Sequence, residues 1–96
     1  MRIEWLDSAA ENLDSISDHL DPLNPVAARR VLSRIDEAVR KLMDHPFAGR
    51  KGRAEGTREL VVLRTPYVVI YSVETDHVAI AHVIHGAKRW PPNGDG

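Results

Sequence analysis

Between Gly56 and Trp90 the chain reads GTRELVVLRTPYVVIYSVETDHVAIAHVIHGAKRW, three apolar runs separated by two short breaks. Leu60-Val61-Val62-Leu63 ends at Arg64-Thr65-Pro66, Tyr67 to Val73 ends at Glu74-Thr75-Asp76, and Val78 to Ile84 ends at His85-Gly86. Valine, isoleucine and tyrosine dominate these runs, and such side chains suit a pleated, half-buried surface. Breaks this short predict consecutive antiparallel hairpins. Pro66 suits a turn or a strand start, because it has no N–H to give a ladder. Strict alternation assigns the faces. Tyr67, Val69, Tyr71 and Val73 share one, with Val68, Ile70 and Ser72 opposite. In the last run Val78, Ile80, His82 and Ile84 share a face, with Ala79, Ala81, Val83 and His85 opposite. Neither face is consistently polar, so the sheet must be covered on much of both sides, by the rest of the chain or by a partner.

Little chain remains to do the covering. Ninety-six residues bound the answer to one domain, expected over residues 1–91 with a disordered tail at 92–96. No apolar run approaches the roughly 20 residues that span a bilayer, and Glu4 and Asp7 interrupt any secretory leader, so a cytoplasmic protein is expected. The absence of cysteine excludes disulfides and thiolate metal sites. Net charge is −1, unevenly spread. Residues 1–48 hold nine acids and six Lys/Arg, and residues 49–96 hold five acids and seven Lys/Arg. A modest basic surface is therefore expected on the second half.

Ahead of the sheet, Met1 to Leu6 alternates and predicts a first strand. Ser8 and Glu11 have the spacing of a capping box. Ala9, Leu13, Ile16 and Leu20 then form a narrow helical stripe, with Asp14 and Asp18 off it. Asn24 is placed to cap a second helix that has Pro25 at its first position. That helix carries a wider apolar face of Ala28, Val31, Leu32, Ile35, Ala38, Val39 and Leu42, and is expected to end at Pro46. Residues 46–56, with three glycines and three cations among eleven residues, predict an exposed, mobile loop. The fold class is α+β, order β-α-α-β-β-β, with an αα-hairpin on one face of a small, mainly antiparallel sheet.

This order, together with the GRKGRAEGTREL entry to the sheet, the TPYVVIYSV strand and the closing VIHGAKRWP, resembles the RelE/ParE superfamily of toxins. The resemblance implies a toxin of a type II toxin–antitoxin module, neutralised by a cognate antitoxin. It implies one of two activities: inhibition of DNA gyrase, or cleavage of mRNA on the ribosome. No cofactor, metal or membrane is implied.

Metal-free RNA cleavage needs a base for the 2′-hydroxyl, an acid for the leaving oxygen and cations on the phosphate. Carried over position by position, the paired lysines of the ribonuclease branch fall on Glu59 and Val61, and its sheet arginine falls on Val68. The basic pair near the end matches Lys88 and Arg89, whereas the terminal tyrosine meets Pro91-Pro92. Most of that constellation is missing, so gyrase inhibition is the favoured reading, with the ribonuclease as the alternative and an interaction module without toxicity as the second alternative. If the chain is a ribonuclease, the candidates are His85, Lys88, Arg89 and Arg58. His82 and His85 lie on opposite faces by alternation and cannot form a simple acid–base pair. The other reading of His85 is a strand-terminal histidine bonded to loop backbone. Arg50, Lys51, Arg53, Arg64 and Trp90 are candidates for binding antitoxin or target. Their alternatives are solvated loop charge, an edge-strand cation and a packing anchor.

Overall fold

The computed structural model describes residues 1–88, 90 and 91. Arg89 and the expected tail, residues 92–96, lie outside the described residues. In order come β1 (Arg2–Trp5), α1 (Asp7–Leu20), α2 (Pro25–Lys41), β2 (Arg50–Lys51), β3 (Arg58–Val61), β4 (Tyr67–Val73) and β5 (His77–His85). The sheet runs β1-β5-β4-β3-β2, antiparallel except for the parallel pairing of β1 with β5. That pairing is possible because a long connection, both helices and then β2 to β4, separates the two strands. The architecture is the expected αα-hairpin on one face of a mainly antiparallel sheet, with one further short strand.

The helix-facing core is built from both partners. Ile16, Ile35, Val39 and Leu42 meet Val62, Val69, Tyr71, Val78, Ile80 and Val83, all at most 7 % exposed. Val31 and Leu32 are half-buried at its margin. Asn24 caps α2 as its sequence requires, its Oδ1 accepting from the Ala27 N–H at 3.1 Å with Pro25 at the first position.

Four expectations give way to tertiary structure. First, Ser8 does not cap α1. The helix already begins at Asp7, Leu6 stands at its cap without a side-chain bond, and the Ser8 hydroxyl donates to the Ala81 carbonyl at 2.5 Å. Second, alternation along β5 breaks at Ala81. Ile70 pairs with His82 but Tyr71 pairs with Ile80, so Ala81 is an extra residue in a β-bulge. Val78, Ile80 and Val83 therefore face the helices, while His82 and Ile84 join Val68 and Ile70 on the other face. α1 supports the bulge, Ser8 through the Ala81 carbonyl and Asn12 Oδ1 by accepting from the Val83 N–H at 3.0 Å. Third, α2 ends at Lys41, ahead of Pro46. Fourth, residues 46–56 are not all loop, although most of them are exposed as expected. They contain β2, and their Gly49 is buried against β4.

Candidate functional site

The positions on which the ribonuclease branch's sheet cations fall, Glu59, Val61 and Val68, lie on the sheet face turned away from the helices. Register assembles it. Arg50 pairs with Glu59, Glu59 with Ile70, and Ile70 with His82, so these four form one row across β2, β3, β4 and β5. A small cluster of Val68, Ile70 and Ile84 covers the neighbouring part, with Trp90 packed against it. The Trp90 ring also lies 4.6 Å from the His82 ring, centroid to centroid.

Glu59 dominates the electrostatics. Its side chain is fully buried, yet it is a carboxylate in the strand that enters the sheet. Oε1 accepts from Arg50 Nη2 at 3.0 Å. Oε2 accepts from the Arg53 backbone N–H at 2.9 Å and from Arg53 Nε at 3.1 Å. Burial by itself pushes this carboxyl up. The side-chain and backbone bonds from Arg53, then the bond from Arg50, outweigh it and hold the group below its ordinary 4.5. Glu59 is thus an anion at neutral pH, and two of the hairpin's cations are turned inward to it. In the sequence this position reads only as a missing lysine. The available signal was an acid among apolar strand residues, following an arginine-rich turn.

The remaining candidates scatter. Arg58 lies on the opposite side of β3 from Glu59, paired with Tyr71. Its Nε donates to the Gly49 carbonyl at 3.1 Å and its Nη2 to the Phe47 carbonyl at 3.3 Å, with the guanidinium carbon 5.2 Å from the centre of the Phe47 ring. His85 is exposed at the end of β5, edge-on to Tyr67 at 5.8 Å, and its Nδ1 accepts from the Ala87 N–H at 3.1 Å. Lys88 is exposed, and its backbone N–H donates to the His85 carbonyl at 2.9 Å. Lys51 is exposed directly across from Arg58. Arg64 sits at a turn with φ +65°, its carbonyl accepting from Arg34 Nη1 at 3.2 Å. His82 is the titratable group the sequence did not single out for this face. Burial first, and the nearby Lys88 second, hold it below its usual 6.5, so it is neutral at pH 7. Ile70 separates it from Glu59 by two strand spacings, about 10 Å, too far for direct proton exchange. Among the described residues there is no group of three His, Asp or Glu side chains able to hold a metal, and no helix is long and apolar enough to cross a membrane.

An αα-hairpin on this sheet, with its edge hairpin and C-terminal strand, defines a small toxin fold, and sequence comparison agrees. Residues 3–90 match the family model described as ParE toxin of type II toxin–antitoxin system, parDE. Y4kP of Sinorhizobium fredii is 41 % identical over 90 residues, covering 94 % of this chain and 93 % of that protein. The toxin RelE2 of Caulobacter vibrioides is 34 % identical over 87 residues, covering 91 % and 97 %. A chain of the chromosomal ParDE system from P. aeruginosa superposes with TM-score 0.80 at 30 % identity, covering 88 % of this chain and 95 % of that one. A chain of the RelBE2 toxin–antitoxin complex from Mycobacterium tuberculosis has the same coverage, with TM-score 0.63 at 23 % identity, a likeness of fold. The chain belongs to the ParE toxin family of type II toxin–antitoxin systems.

Proposed function

We propose that this toxin inhibits DNA gyrase without cutting RNA, and that a cognate antitoxin neutralises it. The observation that carries the reading is the buried, ionised Glu59. A phosphate in a cleavage transition state needs cations aimed at its developing charge. Here the face turned away from the helices holds a buried carboxylate, and its two arginine partners are already engaged with it. Arg58 is bonded to loop carbonyls on the other side of the sheet. Removing one positioned donor typically lowers a rate by about 10²–10³-fold, so a face lacking several supports little catalysis. The antitoxin partner is supported by the solved relatives, both of which come from toxin–antitoxin systems.

The test is a pair of assays on purified wild-type protein and His85→Ala. Inhibition of DNA supercoiling by both proteins, with intact ribosome-bound mRNA, is the expected result. Codon-specific mRNA cleavage by wild type that is lost in His85→Ala overturns it and establishes a ribonuclease that uses His85 with Lys88.

A further inference from the structure

β5 ends at His85, and the chain turns back there. The Gly86 N–H donates to the Pro66 carbonyl at 2.6 Å, the Ala87 N–H to His85 Nδ1 at 3.1 Å and the Lys88 N–H to the His85 carbonyl at 2.9 Å. Trp90 is thereby returned to the sheet face turned away from the helices. Val68, Ile70 and Ile84 lie on that face at 6 %, 0 % and 5 % exposure, although the two helices pack against the other. Among the described residues, the partly buried apolar side chain packed against this trio is Trp90.

That cover is held by apolar contact alone. The Trp90 Nε1 is buried and has no hydrogen-bond partner among the described residues. A buried N–H without an acceptor loses its hydration and gains nothing for it, which offsets part of what covering the trio contributes. The balance between ring closed and ring open is therefore narrow, and a change beneath the ring can decide it.

The group beneath the ring is His82, 4.6 Å away between centroids with the ring planes at 56°. Its surroundings suit the neutral imidazole. The turn brings Lys88 near it, and burial acts in the same direction. On β4 its partner is Ile70. On β1, Glu4 alternates to this face, but its Oε1 lies 3.3 Å from His77 Nε2. Glu59 is two strands away and engaged by Arg50 and Arg53. His85 lies beyond Ile84 on β5, and from the opposite side α1 offers the uncharged Ser8 and Asn12. None of these compensates a cation under the indole. An imidazolium would gain some attraction from the indole face, but it would lose water on that side and stand near Lys88.

We propose that Trp90 is a latch opened by acid: with His82 neutral it closes over Val68, Ile70 and Ile84, and protonation of His82 releases it and bares that apolar patch. At neutral pH the latch is shut. The device does not depend on which target the toxin has.

The test is an NMR titration of the full chain from about pH 8 to about pH 5, following the His82 ring and the Trp90 indole N–H. The indole signal of Trp90 is the one missing from Trp90→Ala, which separates it from that of Trp5. In the wild type the Trp90 N–H should be protected from exchange while His82 is neutral and lose protection along the His82 titration curve. In His82→Gln it should stay protected throughout. In Trp90→Ala the His82 midpoint should rise toward 6.5. By linkage, each unit of that rise means that the ring closes about tenfold less well over imidazolium than over imidazole. An indole that stays protected while His82 titrates overturns the latch. So does a His82 midpoint that is unmoved or falls in Trp90→Ala, the second result showing that attraction to the indole prevails. Should Trp90→Ala fail to fold, the wild-type and His82→Gln titrations decide.

Discussion

Replacing Glu59 by glutamine isolates the charge from the shape. The glutamine amide oxygen can keep the Arg53 N–H and Nε bonds, now 2.9 and 3.1 Å. Its NH₂ group then faces Arg50 Nη2, donor against donor, where Oε1 now accepts at 3.0 Å. One charge-assisted bond is lost and two are weakened. Bonds to charged groups contribute about 1.5–3 kcal/mol each. Truncating one side of a fully buried ion pair costs about 3–5 kcal/mol, since it leaves an uncompensated charge. The lower range applies here, because Arg50 and Arg53 are 62 % and 39 % exposed and can turn to water. The expected loss for Glu59→Gln at pH 7 is about 1.5–3 kcal/mol by urea unfolding, and in thermal unfolding a Tm lower by about 4–8 °C for each kcal/mol. The same reasoning fixes the pH dependence. Folded Glu59 has a lowered pKa, so its stabilisation is present above 4.5 and is lost as pH falls through the folded value. Wild type and Glu59→Gln should converge at acid pH. A difference under about 0.5 kcal/mol at pH 7, or one that persists undiminished in acid, refutes the account.

Three further outcomes are expected. Ile35→Ala, at a position 1 % exposed in the helix–sheet core, should cost about 2–5 kcal/mol in chemical unfolding; a loss below about 1 kcal/mol would show the α2 face is not anchored there. Tyr71→Phe leaves the Gly49 N–H and the Pro46 carbonyl without the Tyr71 hydroxyl that bridges them at 2.9 and 2.8 Å, an expected loss of about 1–3 kcal/mol, with faster exchange of the Gly49 amide as its signature. His82 resists protonation in the folded state, so its part of the stability is full above 6.5 and declines as pH falls from 6.5 toward its lowered folded value; unfolding measured against pH should show that part absent in His82→Gln.

Features written in local chemistry were legible without the fold. The Asn24-Pro25 start of α2 could be read, because a cap bonds three residues ahead. So could the β4 pattern, because side chains alternate along an uninterrupted strand. The resemblance, spread along most of the chain, carried the family. What alternation could not supply is the bulge at Ala81, which exists because α1 offers Ser8 and Asn12 to its backbone. That one extra residue decides that His82 and Ile84 lie on the face turned away from the helices. The Glu59 cluster was hidden for the same reason. Residues 50, 53 and 59 converge only when β2 folds back on β3, and a charge is turned inward only where its partners arrive. The sequence by itself determined both helices and four of the five strands, since those choices rest on contacts within a few residues; β2 was not among them. Tertiary structure decided which groups meet across the sheet, since that depends on pairings between segments distant in sequence.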